Sequence, residues 1–225
     1  MPRRTRADKV REKQTDSIQP FVPKTNNQKR FLESIYNKPI TIAHGSAGTG
    51  KTIVAANAAI KFLKNKWVSK IYYLRSDVGD MHYRGRGALP GEAHEKFKPL
   101  LMPLFCNLQQ LIPQGEIDYL LEKQIIEGIL TEDIRGLSLN HAFLIADECQ
   151  NMHPDTIKTI LTRIGEDSTF VLIGDTKQRD ATFSDGLSDA ATRLTGLDDV
   201  GIIQFKPEDI VRHPLIRTIL ERYGD

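Results

Sequence analysis

The sequence predicts an α/β fold in which one parallel β-sheet is covered by helices on both faces. Short apolar segments with strand character alternate along the chain with longer segments of helical spacing. The segments 142–146 and 170–173 are apolar at every position, as expected for strands that are buried on both faces. In addition, a glycine-rich turn at 45–50 directly follows the first predicted strand and opens a helix. These three observations together predict the fold class.

Each predicted element has its own local signal. Short apolar runs predict five strands, at 40–44, 71–74, 142–146, 170–173 and 201–205. Apolar residues at helical spacing predict seven helices, at 26–36, 53–64, 97–112, 117–130, 155–164, 185–194 and 207–223. Residues 77–91 are rich in glycine and arginine and are predicted to form a loop.

Length and composition indicate one domain. The 225 residues suffice for one substantial α/β domain and not for two. Residues 1–20 are polar and lack hydrophobic periodicity, which predicts a mobile basic tail ahead of a single domain at 21–225. No apolar run is long enough to span a bilayer, so we expect no membrane partner. Two cysteines provide no disulfide framework and no apolar run follows the basic N-terminus, which favours the cytoplasm.

The charges are unevenly distributed along the chain. Residues 1–100 hold 20 Lys and Arg against 8 Asp and Glu, a net charge of +12, and residues 101–225 hold 11 against 21, a net charge of −10. A positive half can follow a phosphate backbone, which makes nucleic acid the first partner to consider. Alternatively, the two halves interleave in the sheet and the charges mix on the surface.

Residues 45–52 have the complete pattern of a phosphate-binding loop. The eight residues are Gly45, Ser46, Ala47, Gly48, Thr49, Gly50, Lys51 and Thr52. Glycines let the backbone N–H groups point at phosphate oxygens, and the helix N-terminus adds a partial positive charge. Lys51 is expected to reach the β- and γ-phosphates, and the Thr52 hydroxyl is expected to ligate Mg²⁺. The pattern predicts binding of ATP with Mg²⁺, because the strand and helix on either side argue against a chance match.

Two carboxylates, Asp147 and Glu148, end the apolar strand at 142–146. Charge at this place is costly unless a cation is bound there. We therefore expect Asp147 to hold the magnesium shell and Glu148 to polarise the attacking water. The alternative is a pair of solvated acids after a core strand, and a full phosphate loop earlier in the chain argues against it.

A third polar segment follows the apolar strand at 170–173 and contains Asp175 and Gln178. Gln178 could donate a hydrogen bond to a γ-phosphate oxygen or to the lytic water. The segment is a weak signal alone and a stronger one because it follows the two motifs above in this order.

Together these motifs resemble those of the PhoH family, phosphate-starvation-inducible ATPases similar to the core of superfamily 1 helicases. The resemblance covers residues 27–223. It also rests on Leu89-Pro90-Gly91, Arg135-Gly136, Gln150-Asn151, Leu161 to Gly165, Gly174-Asp175, Ser184 to Leu187 and Asp209 to Pro214. The fold expected from it is a RecA-like P-loop NTPase whose five parallel strands, numbered along the chain, are ordered 5-1-4-3-2.

The resemblance also implies roles for residues outside the three motifs. Gln28 is similar to a glutamine that reads adenine upstream of the phosphate loop, and the alternative is an ordinary residue on the surface of a helix. Superfamily 1 helicases receive an arginine finger from a second RecA-like domain, for which this chain has no room, so the finger must come from elsewhere in the domain or from a neighbouring subunit. The candidates are Arg75, Arg135, Arg163 and Arg212, and the preferred pair is Arg163 and Arg212. The alternative for each arginine is an ordinary salt bridge. A homo-oligomer, hexameric by the resemblance, is therefore expected.

The function expected from the sequence is ATP hydrolysis coupled to RNA or single-stranded nucleic acid. Tyr83, Arg84 and Arg86 in the 77–91 loop suit a phosphate backbone and a stacked base, although such a loop can equally be an ordinary solvated one. Two alternatives remain open: an ATP-gated nucleic-acid-binding module without translocation, and a small-molecule kinase that uses the same loop.

Overall fold

The structure is a computed structural model that describes residues 20–75, 93–176, 178, 185–211 and 222, with the backbone alone at 93–100. The strands are β1 (Ile40–Gly45), β2 (Lys70–Arg75), β3 (Ile126–Ile129), β4 (Ala142–Asp147), β5 (Thr169–Gly174) and β6 (Val200–Phe205). The helices are α1 (Asn26–Asn37), α2 (Lys51–Lys64), α3 (Ala93–Leu108), α4 (Gln114–Glu122), α5 (Pro154–Leu161) and α6 (Gly186–Leu194). Short 3₁₀ turns lie at Cys149–Asn151 and Pro207–Asp209.

The six strands form one parallel sheet in the order β3-β2-β4-β5-β1-β6. The predicted order of five strands corresponds to β6-β1-β5-β4-β2, so it is confirmed, and β3 adds a sixth strand at the edge beside β2. As expected, β5 separates the strand before the phosphate loop from the strand that ends at Asp147.

The predicted helix at 117–130 is wrong in its second half. Helix α4 ends at Glu122, and after a turn residues 126–129 form β3. Gln124 in this turn has a left-handed backbone conformation (φ 53°), which redirects the chain into the sheet. The helix predicted at 97–112 is present, but it runs from 93 to 108.

Apolar side chains alternate between the two faces of the sheet. In β4, Phe143 and Ile145 pack with α1 to α4 on one face, whereas Leu144 and Ala146 pack with α5 and α6 on the other. Since each strand contributes to both cores, the strands are apolar along most of their length. In β4 the charged residue is consequently confined to the carboxyl end of the strand, at Asp147.

The two oppositely charged halves of the chain are interleaved, which favours the second of the two interpretations of the charge pattern. Described ion pairs join Lys64 to Glu116, Lys70 to Glu127 and Arg75 to Glu148. The closing helix predicted at 207–223 is wrong at its start, where the structure has a 3₁₀ turn at Pro207–Asp209 followed by extended backbone at Ile210. Residues 212–221 and 223 of that helix, residues 1–19 of the predicted tail and the 77–91 loop lie outside the described residues. Among the helices that are described, none has the length and apolar character needed to cross a membrane.

Candidate functional site

The phosphate-loop residues border a cleft of about 550 Å³ at the carboxyl edge of the sheet. This volume lies in the range typical of small-molecule sites. Several residues of the predicted motifs line the cleft, among them Gln28, Ala47, Gly48, Thr49, Gly50, Lys51, Thr52, Asp147, Glu148, Asp175 and Gln178. The fold thus brings together three motifs that are far apart in the sequence.

Lys51 lies inside the curve of the phosphate loop. It is the first residue of α2 and is almost fully buried. Its ammonium donates hydrogen bonds to the carbonyls of Gly45 (2.8 Å) and Ser46 (2.9 Å) and lies 3.4 Å from the Thr49 hydroxyl. This arrangement keeps one positive charge at the N-terminus of a helix, where the helix dipole also favours an anion.

Gln28 braces the phosphate loop from α1. Its buried side chain donates to the Thr49 carbonyl (2.9 Å) and accepts from the Lys24 N–H (2.7 Å). Gly50 has φ 80°, and a Cβ at this position would lie 2.7 Å from the Gln28 amide nitrogen, so only glycine allows this approach. The amide retains one N–H and one acceptor site beyond these two bonds, and it lines the cleft. Adenine recognition by Gln28 stays a prediction.

The segment after β6 braces the same loop from the other side. The Val211 N–H donates to the Gly48 carbonyl (3.1 Å). Asp209 accepts hydrogen bonds from the Asn27 amide (2.7 Å) and the Lys206 N–H (2.9 Å). Burial alone would raise the pKa of Asp209. Hydrogen bonds to the carboxylate outweigh burial, so the net effect is a lowered pKa. The loop is therefore held by two separate elements.

Asp147 and Thr52 meet at the base of the cleft. The Thr52 hydroxyl lies 3.3 Å from Asp147 Oδ2, and the Tyr73 hydroxyl donates to the same oxygen at 2.8 Å. Burial raises the pKa of Asp147, while the hydrogen bond from Tyr73 acts in the opposite direction. Carboxylate and hydroxyl oxygens are the ligands that Mg²⁺ prefers. The donor set and the buried carboxylate therefore fit the predicted magnesium ion.

Glu148 projects from an unusual backbone conformation directly after β4. Its φ of 54° and ψ of 35° are left-handed, and the residue begins the 3₁₀ turn at Cys149–Asn151. Its side chain is 37% exposed, lies 3.6 Å from the Arg75 guanidinium and accepts a hydrogen bond from the Gln150 amide at 2.7 Å. A half-exposed carboxylate at the edge of the cleft is accessible to water and to substrate.

Gln150 links Glu148 to the segment after β5. This fully buried side chain also donates to the Gln178 carbonyl (2.8 Å) and accepts from the Asp175 N–H (3.0 Å). A Cβ at Gly174 would lie 2.4 Å from the Gln150 side-chain oxygen, so the glycine that ends β5 permits the contact. In the sequence, Gln150 belongs to a family motif but has no predicted role. In the structure, its side chain connects the Asp147-Glu148 motif to the segment that contains Gln178.

Some cleft residues carried no sequence signal. Asn107 and Gln110 near the end of α3, and Phe21 and Lys24 before α1, line the cleft together with the motif residues. In the sequence, the first two lie in a predicted amphipathic helix and the other two lie in the short segment before a predicted helix. Neither segment has a nucleotide-binding pattern. Only the packing of α3 and α1 against α2 brings them to the site.

The four candidate arginines occupy different places. Arg75 is at the site, beside Glu148. Arg135 is exposed in the turn after β3, and Arg212 lies outside the described residues. Arg163 lies at the opposite edge of the sheet, where its carbonyl accepts from Leu139 ahead of β4. The six-residue strand β5 separates that edge from the cleft, a distance of roughly 20 Å at about 3.3 Å per residue.

The sequence has clear relatives among curated proteins. It matches the profile of PhoH-like proteins over residues 20–224. It is 35% identical over 202 residues to the PhoH-like protein of Bacillus subtilis (strain 168), an alignment that covers 89% of this chain and 63% of that protein. It is 33% identical over 209 residues to protein PhoH of Escherichia coli (strain K12), covering 91% and 58% respectively. The chain thus spans about three fifths of the length of these relatives.

The fold has solved counterparts in more distant proteins. The large terminase of a thermophilic bacteriophage matches with a TM-score of 0.56 at 14% identity, covering 91% of this chain and 49% of the terminase. A structure of the same terminase in complex with ADP matches with a TM-score of 0.50, also at 14% identity, covering 91% of this chain and 50% of that one. At this level of identity the likeness shows the fold alone, and it confirms the predicted P-loop NTPase architecture. With its profile match and its curated relatives, the chain belongs to the PhoH family.

Proposed function

We propose that this domain binds ATP with Mg²⁺ and hydrolyses the bond to the γ-phosphate. The observation that carries the proposal is the convergence, in one cleft, of the phosphate loop with Lys51, the Thr52–Asp147 pair and Glu148. The fold likeness to a terminase that holds ADP supports a nucleotide as the ligand. ATP hydrolysis by the purified chain, lost when EDTA removes Mg²⁺, is the expected result, and an inactive folded chain would contradict it.

In this proposal each group has a separate task. Thr52 and Asp147 would hold Mg²⁺, which when bound neutralises charge on the β- and γ-phosphates. Lys51 binds the phosphate oxygens and stabilises the charge that develops during transfer. Glu148 accepts a proton from the attacking water as its oxygen bonds to the γ-phosphorus. The bond from that phosphorus to the bridging oxygen breaks, ADP leaves with the bond's electrons, and inorganic phosphate is the second product.

The Gln150 connection makes Gln178 a suitable sensor of the γ-phosphate. Gln178 lines the cleft, and its carbonyl accepts from the same amide that donates to Glu148. A shift of the 175–178 segment on contact with phosphate would therefore move Glu148 through one buried side chain.

A small-molecule kinase is the less supported alternative, because a kinase usually lacks both the water-activating glutamate and the glutamine segment.

We further propose that hydrolysis is coupled to RNA or single-stranded nucleic acid. The support is the 77–91 segment, in which Tyr83 stands beside Arg84 and Arg86, a combination that suits a stacked base and a phosphate backbone. The ATPase rate should rise when single-stranded RNA or DNA is added. Binding of nucleic acid that depends on ATP, without strand displacement or movement, would favour the ATP-gated binding module instead.

Neutralising Arg84 and Arg86 together should weaken binding to single-stranded nucleic acid. Each lost phosphate contact reduces the slope of log affinity against log salt by about 0.7, so the double variant should flatten it by up to about 1.4. Affinities measured across a salt series give this slope. A matched control replaces Arg30 and Arg193, exposed on α1 and α6, with glutamine. Equal slopes in the two double variants would remove the 77–91 segment from the interface.

We also propose that the active unit is a homo-oligomer, a hexameric ring, in which an arginine completes the site of a neighbour. The support is the position of Arg163, which lies too far from its own cleft to act there and is only partly buried at the other edge of the sheet. A head-to-tail interface that closes on itself would place each nucleotide between subunits.

Mixing of variant subunits tests this proposal. Glu148→Gln subunits combined with Arg163→Ala or Arg212→Ala subunits should regain ATPase activity at interfaces that pair an intact Glu148 with an intact arginine. Subunit exchange is verified first with differently labelled chains. No recovery with either arginine variant, or full activity of a monomer, would contradict the proposal.

A further inference from the structure

A buried tyrosine hydroxyl contacts the carboxylate at the base of the cleft. Tyr73 is 0% exposed, and it belongs to the core on the face of the sheet that α1 to α4 cover. In the register of the sheet, Tyr73 is opposite Ile145, and Asp147 is two residues further along the neighbouring strand. A long side chain can reach such a diagonal neighbour on the same face of the sheet. This reach explains how the Tyr73 hydroxyl comes to lie 2.8 Å from Asp147 Oδ2.

The hydroxyl completes a set of contacts that fixes the Asp147 carboxylate. Oδ2 accepts from Tyr73 and faces the Thr52 hydroxyl, and Oδ1 accepts from the Glu148 N–H at 2.9 Å. An ordinary phenol is protonated at neutral pH, so the Tyr73 hydroxyl is the donor in its contact with the carboxylate. Packing alone does not require this hydroxyl, because a phenylalanine ring would fill the same space.

We infer that Tyr73 is a positioning residue, which orients Asp147 through its hydroxyl so that the carboxylate can hold Mg²⁺. The inference rests on the proposed function, since it takes Asp147 as a metal-holding residue. Partners in the second layer of a metal site characteristically change metal affinity by about 10- to 100-fold. This partner comes from β2, a strand that contains none of the three nucleotide-binding motifs predicted from the sequence.

The test compares Tyr73→Phe with a matched control, Tyr72→Phe. Tyr72 precedes Tyr73 on β2, and its ring packs on the opposite face of the sheet, near Lys70. Mn²⁺ binding in the presence of ADP, followed by electron paramagnetic resonance, reports metal affinity without turnover. Nucleotide affinity is measured separately in EDTA.

The expected result is a rise of about tenfold or more in the Mn²⁺ dissociation constant for Tyr73→Phe. Nucleotide affinity in EDTA should be unchanged, and Tyr72→Phe should match the wild type in both measurements. In an Asp147→Asn background, the further change Tyr73→Phe should have no effect on metal affinity, because the hydroxyl acts through the carboxylate.

Other outcomes overturn the inference in distinguishable ways. Unchanged Mn²⁺ affinity in a folded Tyr73→Phe chain would show that the hydroxyl has no role in metal binding. This result would leave the proposed function intact. A Tyr73→Phe chain that no longer unfolds cooperatively would assign the hydroxyl to core stability instead. A wild-type chain that binds no Mn²⁺ with ADP would contradict the proposed function, and the inference would fall with it.

Discussion

Replacement of Glu148 by glutamine should abolish turnover and leave ATP binding nearly unchanged. The amide keeps the size of the side chain and can still contact Gln150, but it cannot accept a proton from water. General-base catalysis contributes about 10²–10⁴-fold, so we expect the ATPase rate to fall by this factor. Release of phosphate measures turnover, and binding of a fluorescent ATP analogue measures affinity.

The matched control for this prediction is Glu127→Gln on β3, the edge strand of the sheet beside β2. Glu127 is 40% exposed, much like Glu148, and it also pairs with a basic residue at the sheet, Lys70. Its replacement removes the same charge away from the cleft, so the rate should stay within about twofold of wild type. A Glu148→Gln chain that hydrolyses ATP at the wild-type rate would falsify the assignment of Glu148.

Replacement of Lys51 by alanine should weaken nucleotide binding and eliminate hydrolysis. The ammonium is a charged donor inside the loop, and a hydrogen bond to a charged group contributes about 1.5–3 kcal/mol. Since about 1.4 kcal/mol corresponds to a factor of ten, the dissociation constant of ATP should rise by about 10- to 150-fold. Isothermal titration calorimetry measures this change.

Lys51 also donates to the loop carbonyls of Gly45 and Ser46, so its loss could disturb the loop itself. Thermal unfolding without nucleotide separates the two effects, and a variant that unfolds like wild type has lost the phosphate contact alone. Lys61→Ala, a change near the other end of α2, serves as control. Equal ATP affinity in the Lys51 and Lys61 variants would contradict the role assigned to the phosphate-loop lysine.

The order of five strands was implied by the family resemblance, and the clustering of the site residues was predicted from contiguous motifs. The phosphate loop, Asp147-Glu148 and the segment with Gln178 each end a buried strand, and parallel strands present their carboxyl ends at one edge. Strand β3 escaped prediction because the apolar residues of α4 continue at helical spacing into 125–130. Periodicity cannot separate a short strand from a helix end in such a run.

The supporting residues Tyr73 and Gln150 could not be assigned from the sequence. Tyr73 reaches Asp147 only through the register of β2 against β4, which sequence patterns do not contain. The role of Gln150 depends on the close approach permitted by Gly174 on a different strand. Sequence motifs identify residues that bind the ligand. The residues that position them can be identified only from the three-dimensional arrangement of the strands.

The left-handed backbone of Glu148 has a consequence for engineering the domain. A non-glycine residue in this conformation costs roughly 1–2 kcal/mol, and a whole domain is typically stable by only about 5–15 kcal/mol. Glycine would adopt the same φ of 54° without that penalty. A search for heat-resistant variants would therefore favour loss of the proposed catalytic carboxylate. Screens for thermostability in this fold should hold position 148 fixed, or they will enrich chains that are robust and inactive.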